Sequence, residues 1–374
     1  MKFVVSSSVL LKQLSAVNGV VSTNPIVPIL ENFLFNLDGN VLTVTASDLQ
    51  TVMITEIEVE AGDKGAIAVP AKLLLDTLRG LPEQPITFNV DEETFGTEIV
   101  SDNGRYKLSG ENPIDFPKTP SVNHGQAVEF TSSALGMAIA NTLFATSTDD
   151  IRPAMTGVFV QMGAENATFV ATDGHRLVRY RRTDIQSGSD TSMIIQRKAL
   201  NLLKTCLPSD ATVVKAEFTT SNAFFSFGNI KMICRLIDER FPDYENAIPT
   251  NNPNTLTIGR AEMLNSLKRI SIYSNRSTHQ IRLKMALNDL VISAEDLDYS
   301  NEANEKLLCE YNGEPLEIGF NAKFLIEILS NLSCKTITFE LSAPNRAGLI
   351  IPVEQEDNED ILMLVMPVML NTYA

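Results

Sequence analysis

The chain has 374 residues, 44% of them hydrophobic and 20% charged, with a net charge of −16; this is the balance of a globular protein of about two to four domains rather than one core. Its longest apolar run, residues 361–370, is broken by Pro367 and reaches only about half of the ~20 residues that a membrane-crossing helix needs. The acidic balance argues against a phosphate-rich partner unless positive charge is gathered on one surface.

The N-terminal stretch MKFVVSSSVLLKQL has one lysine and then alternates apolar with polar residues. It lacks the unbroken apolar segment and small-residue cleavage site of a secretory signal, so a cytoplasmic protein is expected. The same stretch reads as a strand followed by a helix over residues 9–21. Next, LFNLDGNVLTVTASD reads as two alternating runs around a tight polar turn, a hairpin ending at Asp48. A second helix is expected over residues 71–80. Leu74, Leu78 and Leu81 form one stripe and Lys72, Asp76 and Arg79 the other, so one face packs on a sheet and one meets water.

The pattern then recurs. EFTSSALGMAIA from Glu129 repeats the strand and helix, VFVQMGAENATFVATD repeats the hairpin, and KALNLLKTCLP from Lys198 repeats the second helix. A third round follows in LTIGRAEMLNSLK from Leu256, IRLKMALNDLVISAED, and KFLIEILSNLS from Lys323. The anchors Phe116-Pro117, Phe241-Pro242 and Met366-Pro367 are spaced by 125 residues. Three copies account for nearly the whole chain and make an α+β protein of three tandem similar domains. Linkers are expected over residues 120–126 and 249–254, both rich in Pro, Asn, Ser or Gly.

Charge follows the repeat. The six expected helices, residues 9–21, 71–80, 133–145, 197–207, 260–275 and 322–332, carry ten basic and three acidic residues inside a strongly acidic chain. Helices lining one surface would attract a polyanion through phosphate contacts, without reading bases.

Chemistry-bearing residues are sparse. Cys206, Cys234, Cys309 and Cys334 are widely separated with no C-x-x-C pair, so reduced thiols in cores are expected, with no metal and no cofactor. Of the three histidines, His124 falls in a linker and His279 in the polar run NRSTHQ; only His175 sits near an acid, in ATDGHRLVRY. Asp173 and His175 would serve a hydrolase-like enzyme if they met in a cleft, whereas Gly174 between them favours a turn in which the carboxylate bonds backbone N–H groups. Asp173 answers to Asp48 in the first copy and to Glu295 or Asp296 in the third. A scaffold of three interaction domains without DNA is a third reading.

Taken in order, KFVVSSSVLLKQL, VPAKLLLDTLRGLP, ATDGHRL, RFPDYENAIP, IGFNAKFL and VMPVML resemble the bacterial DNA polymerase III beta subunit family, the replicative sliding clamps, from residue 1 to about 370. The resemblance implies a DNA clamp fold with domains at 1–122, 127–249 and 254–374, each with two helices on antiparallel sheets. It implies a head-to-tail homodimer that closes as a ring, encircles double-stranded DNA without sequence specificity, and gives the polymerase processivity, with no catalytic activity of its own. It further implies a hydrophobic pocket for peptides borne by the DNA polymerase III alpha subunit, the clamp loader and other partners. That pocket would be lined by Met155, Thr172, Gly174, His175, Arg176, Leu177, Pro242, Phe324, Val365, Met366, Pro367, Val368 and Met369, with His175 and Arg176 on its rim. DNA-facing residues would include Lys12, Lys72, Arg79, Arg152, Arg197, Lys198, Arg260 and Lys268, and ring closure would use Tyr106, Leu108, Ile272 and Tyr273. No membrane partner is implied. The sequence departs from the family pattern at Asn24, Pro153-Ala154, Asn246 and Met369, and residues 371–374 extend past the pocket segment.

Overall fold

The computed structural model describes residues 1–121 and 126–370. Among them are six α-helices, two in each sequence copy: α1 (Ser7–Val17), α2 (Ala71–Gly80), α3 (Ser132–Thr142), α4 (Arg197–Cys206), α5 (Arg260–Ile270) and α6 (Ala322–Asn331). The strands Lys2–Ser6, Gln126–Thr131 and Asn254–Gly259 run straight into α1, α3 and α5, and each of these helices ends in one 3-10 turn: Asn18–Val20, Leu143–Ala145 and Ser271–Tyr273. The expected helices over 9–21, 133–145 and 260–275 therefore close earlier than their apolar spacing suggested. Asn18-Gly19 is a poor helix pair, while Thr142 and Ser271 donate their hydroxyls back to the carbonyls of Ala138 and Lys268 at 2.7 and 3.0 Å, which loosens a helix end.

Helix α2 buries Ala71, Leu74, Leu75 and Leu78 and exposes Lys72, Asp76 and Arg79. The expected stripe is thus corrected at one end: Leu81 is the extended residue that caps the helix, and Leu75 completes the buried face. Helix α6 buries Ala322, Leu325, Ile328 and Leu329 in the same pattern. In α4 the buried residues are Ala199, Leu200 and Leu203, and Lys204 next to them is exposed.

The described residues gather into two compact units, each organised by sheet. The first takes Met1–Leu135 with Lys198–Leu236; the second takes Gly136–Arg197 with the chain from Ile237 onward. In the first unit, ten strands form one antiparallel sheet. The start of the long strand Thr51–Pro70 pairs with Ile230–Arg235, from Thr55 opposite Ile230 to Thr51 opposite Cys234. That pairing joins the first sequence copy to part of the second. In the second unit, Arg176–Arg182 pairs along its whole length with Glu359–Val365, joining another part of the second copy to the third. Compactness therefore follows the sheets, and the second copy contributes to both units. Of the expected linkers, residues 122–125, with His124, lie outside the described residues, as does the C-terminal stretch 371–374.

Two of the expected hairpins are direct strand pairs. Gly157–Met162 pairs with Ala167–Thr172, and Gln280–Ala286 pairs with Asp289–Asp296. In the first copy Asn32 to Gly39 pair with Pro70 to Asp63 and Val41 to Ser47 with Glu58 to Val52, the outer pairings that Gly157–Met162 makes with Thr191–Gln196 and Ala167–Thr172 with Arg176–Arg182 in the second. Gly39, with a left-handed φ of 64°, stands at the break between the two registers, where the polar DGN triplet was expected to turn. The stretch between the two registers, residues 59–62, is used elsewhere, as Glu60 pairs with Val4.

The core of the first unit stacks Phe3 on Phe88 with centroids 4.7 Å apart, against Phe35, and buries Leu10, Leu14 and Leu74 completely. Each fully buried leucine contributes about 1.5–3 kcal/mol of transfer free energy. In the second unit Leu177, Phe241, Tyr244, Leu349, Leu362 and Leu364 share one cluster, which becomes the bed of the site below.

Candidate functional site

The site begins as a turn. Thr172 closes a strand and Arg176 opens the next; Gly174 between them has a φ of 88°, a conformation that favours glycine. Asp173 Oδ1 accepts the N–H groups of His175 and Arg176 at 2.9 and 3.0 Å. Thr172 Oγ1 accepts from Gly174 N at 3.0 Å and donates to the carbonyl of Arg176 at 2.7 Å. The first copy builds the same turn: Ser47 Oγ accepts from Leu49 N, and Asp48 Oδ1 accepts from Gln50 N and Thr51 N at 3.0 and 2.7 Å. In the third copy Asp296, rather than Glu295, is the turn acid, buried and accepting from Asp298 N at 3.2 Å. The carboxylate thus belongs to the repeated turn. The His175 ring does not bond it and lies instead over Phe324, with centroids 5.8 Å apart at 15°.

Arg176 is the residue the second copy adds to this turn. It is 7% exposed, which corrects its expected place on a rim. Its Nε donates to Asp173 Oδ2 at 3.2 Å, Nη2 to the carbonyl of Phe144 at 2.9 Å, and Nη1 pairs with Glu327. Its guanidinium carbon also lies 5.3 Å from the ring centroid of Phe144 and 5.0 Å from that of Phe324. A charge can be buried only if paired, and here two carboxylates, one carbonyl and two ring faces hold it. The hairpin, the end of α3 and helix α6 therefore meet on one guanidinium.

The C-terminal segment completes the wall. Met366 N donates to the carbonyl of His175 at 2.8 Å, and Val368 N donates to that of Gly319 at 2.9 Å. A Cβ on Gly319 would stand 2.6 Å from the carbonyl oxygen of Val368, so only glycine admits the segment here. Thr172, Gly174, His175, Arg176, Leu177, Phe324, Val365 and Met366 are accordingly brought together, and Val368 is pinned beside them. Leu177 and Val365 are fully buried, so they serve as the bed, while Met366 and Met369 are 42% and 76% exposed. Pro242 is exposed beside Phe241, whose ring stacks on Phe159 at 4.7 Å, and Met155 is half-buried one residue after Ala154, which packs on the Leu177 cluster. The result is an apolar, partly open surface with methionine and aromatic contacts.

Phe144, Glu327 and Gly319 were not singled out in the sequence. Glu327 lies one helical turn beyond Phe324, and that spacing was the available signal. Arg152 is also resituated: it pairs with Asp149 at 3.6 Å, and its Nη1 would lie 2.8 Å from a Cβ on Gly174, so it borders the hairpin.

The other expected basic residues fall into groups. Lys12, Lys72, Arg197 and Lys268 are exposed and have no ion-pair partner among the described residues. Arg79 pairs with Asp76 at 2.9 Å, and Lys198 pairs with Asp48. Arg260 is a correction, since its guanidinium donates to the carbonyls of Cys334 and Leu329 at 2.8 and 2.9 Å. It caps the end of α6 and is not offered to a phosphate. Among the ring-closure candidates Tyr106, Ile272 and Tyr273 are exposed, at 36%, 77% and 44%, but Leu108 is 5% exposed. Leu108 faces inward opposite Thr97 and packs in its own unit. No group of three His, Cys, Asp or Glu that could hold a metal ion occurs among the described residues, and no helix there is long and apolar enough to cross a membrane.

Comparison with known proteins matches three stretches to one family. Residues 1–120 match the N-terminal domain of the DNA polymerase III beta subunit, 129–243 its central domain and 245–369 its C-terminal domain. The beta sliding clamp of Vibrio cholerae is 30% identical over 374 residues, covering 99% of this chain and 100% of the relative. A crystal structure of the DNA polymerase III subunit beta from Pseudomonas aeruginosa superposes with a TM-score of 0.94 at 29% identity, over 99% of this chain and 100% of that one. A sliding clamp from Bartonella birtlesii, solved bound to griselimycin, gives 0.92 at 31% identity with the same coverage.

Proposed function

Since the chain belongs to the family of DNA polymerase III beta subunits, the beta sliding clamps, we propose that its hairpin surface docks partner peptides and that its free helix cations meet duplex DNA. The protein is a replication accessory, not an enzyme, and its place of action is the cytoplasm, where bacterial DNA lies. Two chains of three domains, bounded near 1–122, 127–249 and 254–374, join head to tail as a ring around DNA and tether the polymerase. The surface around Phe324 and Met366 receives short peptides of the polymerase alpha subunit, the clamp loader and other partners.

One observation carries the peptide reading: two exposed methionines and a half-buried phenylalanine are held in place by backbone bonds and a fully paired arginine. That is a preorganised apolar surface, which binds with little ordering cost. Ring closure draws support from the free sheet edges. Arg105–Ser109 ends the ten-stranded sheet with exposed Arg105, Tyr106 and Lys107, and Asn301–Leu308 ends the four-stranded sheet with exposed Glu302 and Leu308. An unpaired edge is a template for pairing, and a basic edge suits an acidic one better than its own copy, as a head-to-tail joint requires. Light scattering tests this directly: a mass of twice the 41.1 kDa chain is expected at micromolar concentration. A monomer there, or a peptide affinity unmoved by Met366→Ala and Phe324→Ala, would contradict the reading.

A further inference from the structure

The turn aspartates of the first two copies share one geometry and differ in the use of their second oxygen. Asp173 spends Oδ2 on Arg176 within its own turn. In the first copy the matching residue is Thr51, and Asp48 Oδ2 instead holds Nζ of Lys198, 150 residues further along the chain. We infer that Asp48 is an internal substitute for phosphate that holds Lys198 back from DNA and so weakens the grip of this surface. The inference rests on the reading of the helix cations as DNA-facing.

Its physical basis is an asymmetry between the two partners. The Asp48 side chain is 10% exposed and is fixed by two backbone N–H groups, so it cannot turn away to solvent. The Lys198 side chain is 56% exposed on a flexible stem and stays within reach of a phosphate. A phosphate that takes Lys198 displaces a carboxylate already in place and leaves that carboxylate sheltered from water without its cation, which is costly. The pair Arg79–Asp76 is different: both partners are more than half exposed, and such a pair yields to competitors and salt. Lys12 and Lys72 make no ion pair among the described residues. The cations of the first unit are thus graded into free, easily released and held. Each held cation is one fewer phosphate fixed at a time, which favours movement along the duplex over a static complex.

Asp48→Asn isolates the effect, because the amide keeps an oxygen for the turn N–H groups and replaces the other by an NH2 that cannot hold Lys198. Binding of a short fluorescent duplex is measured across a salt series. Asp48→Asn is expected to tighten binding several-fold and to steepen the salt dependence by about 0.9 in log K against log salt. Lys198→Gln is expected to cost a smaller factor than Lys72→Gln, and the double variant Asp48→Asn with Lys198→Gln to fall back to the level of Lys198→Gln alone. The inference is overturned if the tightening persists undiminished in the double variant, since Asp48 would then act through its general field. It is overturned equally if Lys198→Gln costs as much as Lys72→Gln, a comparison that stands even if Asp48→Asn folds poorly. If Lys12→Gln and Lys72→Gln also leave binding unchanged, the DNA-facing reading of the helices fails along with it.

Discussion

At the residue scale, the turn carboxylate was legible and its cation was not. Gly174 between Asp173 and His175, with related acids in the other copies, pointed to backbone bonds, and the Asp173 carboxylate makes them. Nothing local announced that Arg176 would be buried between Phe144 and Phe324, because its partners lie 32 and 151 residues away. His175 contrasts with it, being exposed and touching the site only through its ring. His175→Ala is therefore expected to weaken peptide binding by about 1 kcal/mol, the worth of an aromatic contact, with the thermal midpoint almost unchanged; calorimetry with a partner peptide and a melting scan read the two effects. A second prediction concerns pH. The Arg182 guanidinium bonds Asp184 through Nε and Nη2 and holds its carboxyl below the usual range. A depressed carboxylate contributes stability that is complete above its unfolded value of about 3.9 and is lost as pH falls through the lower folded value. Asp184→Asn should therefore flatten the acid limb of the stability curve below about pH 4 and leave the slope near neutrality unchanged. Burial likewise pushes the Cys234 thiol up to about 12, so it should resist alkylation at mild alkaline pH until the protein unfolds.

At the element scale, helices and hairpins were read better than the partners they meet. The 3.6-residue stripe placed α2 and α6 because one face must leave water, and the one misplaced leucine, Leu81, sits where the helix has already ended. The register break falls at the DGN triplet, but the partners on its two sides, Asp63 opposite Gly39 and Glu58 opposite Val41, were hidden because they depend on the path of Thr51–Pro70. Gly319 was equally hidden: its need for glycine comes from Val368, which arrives about 50 residues later by a path no local pattern specifies. Gly319→Ala is expected to push the 366–370 segment off its strand, lowering stability by about 1–3 kcal/mol. It should also weaken peptide binding more than His175→Ala, as titration of both variants with the same peptide would show.

At the scale of the whole molecule, the 125-residue spacing of three Pro anchors made the triple repeat readable, and three family domains match in tandem along the chain. What spacing alone did not convey is that sheets join neighbouring copies edge to edge, as Ile230–Arg235 does with Thr51–Pro70, since strand pairing depends on tertiary approach. The central claim is topological: the protein holds DNA by surrounding it, and the helix cations add phosphate contacts that salt weakens. The most direct measurement loads the protein onto nicked circular DNA with a clamp loader, raises the salt, and follows retention through a sizing column before and after one cut linearises the circle. Retention on the circle at high salt, and loss within minutes of cutting, is the predicted result. Equal retention on circular and linear DNA, or release from both as salt rises, would contradict the account.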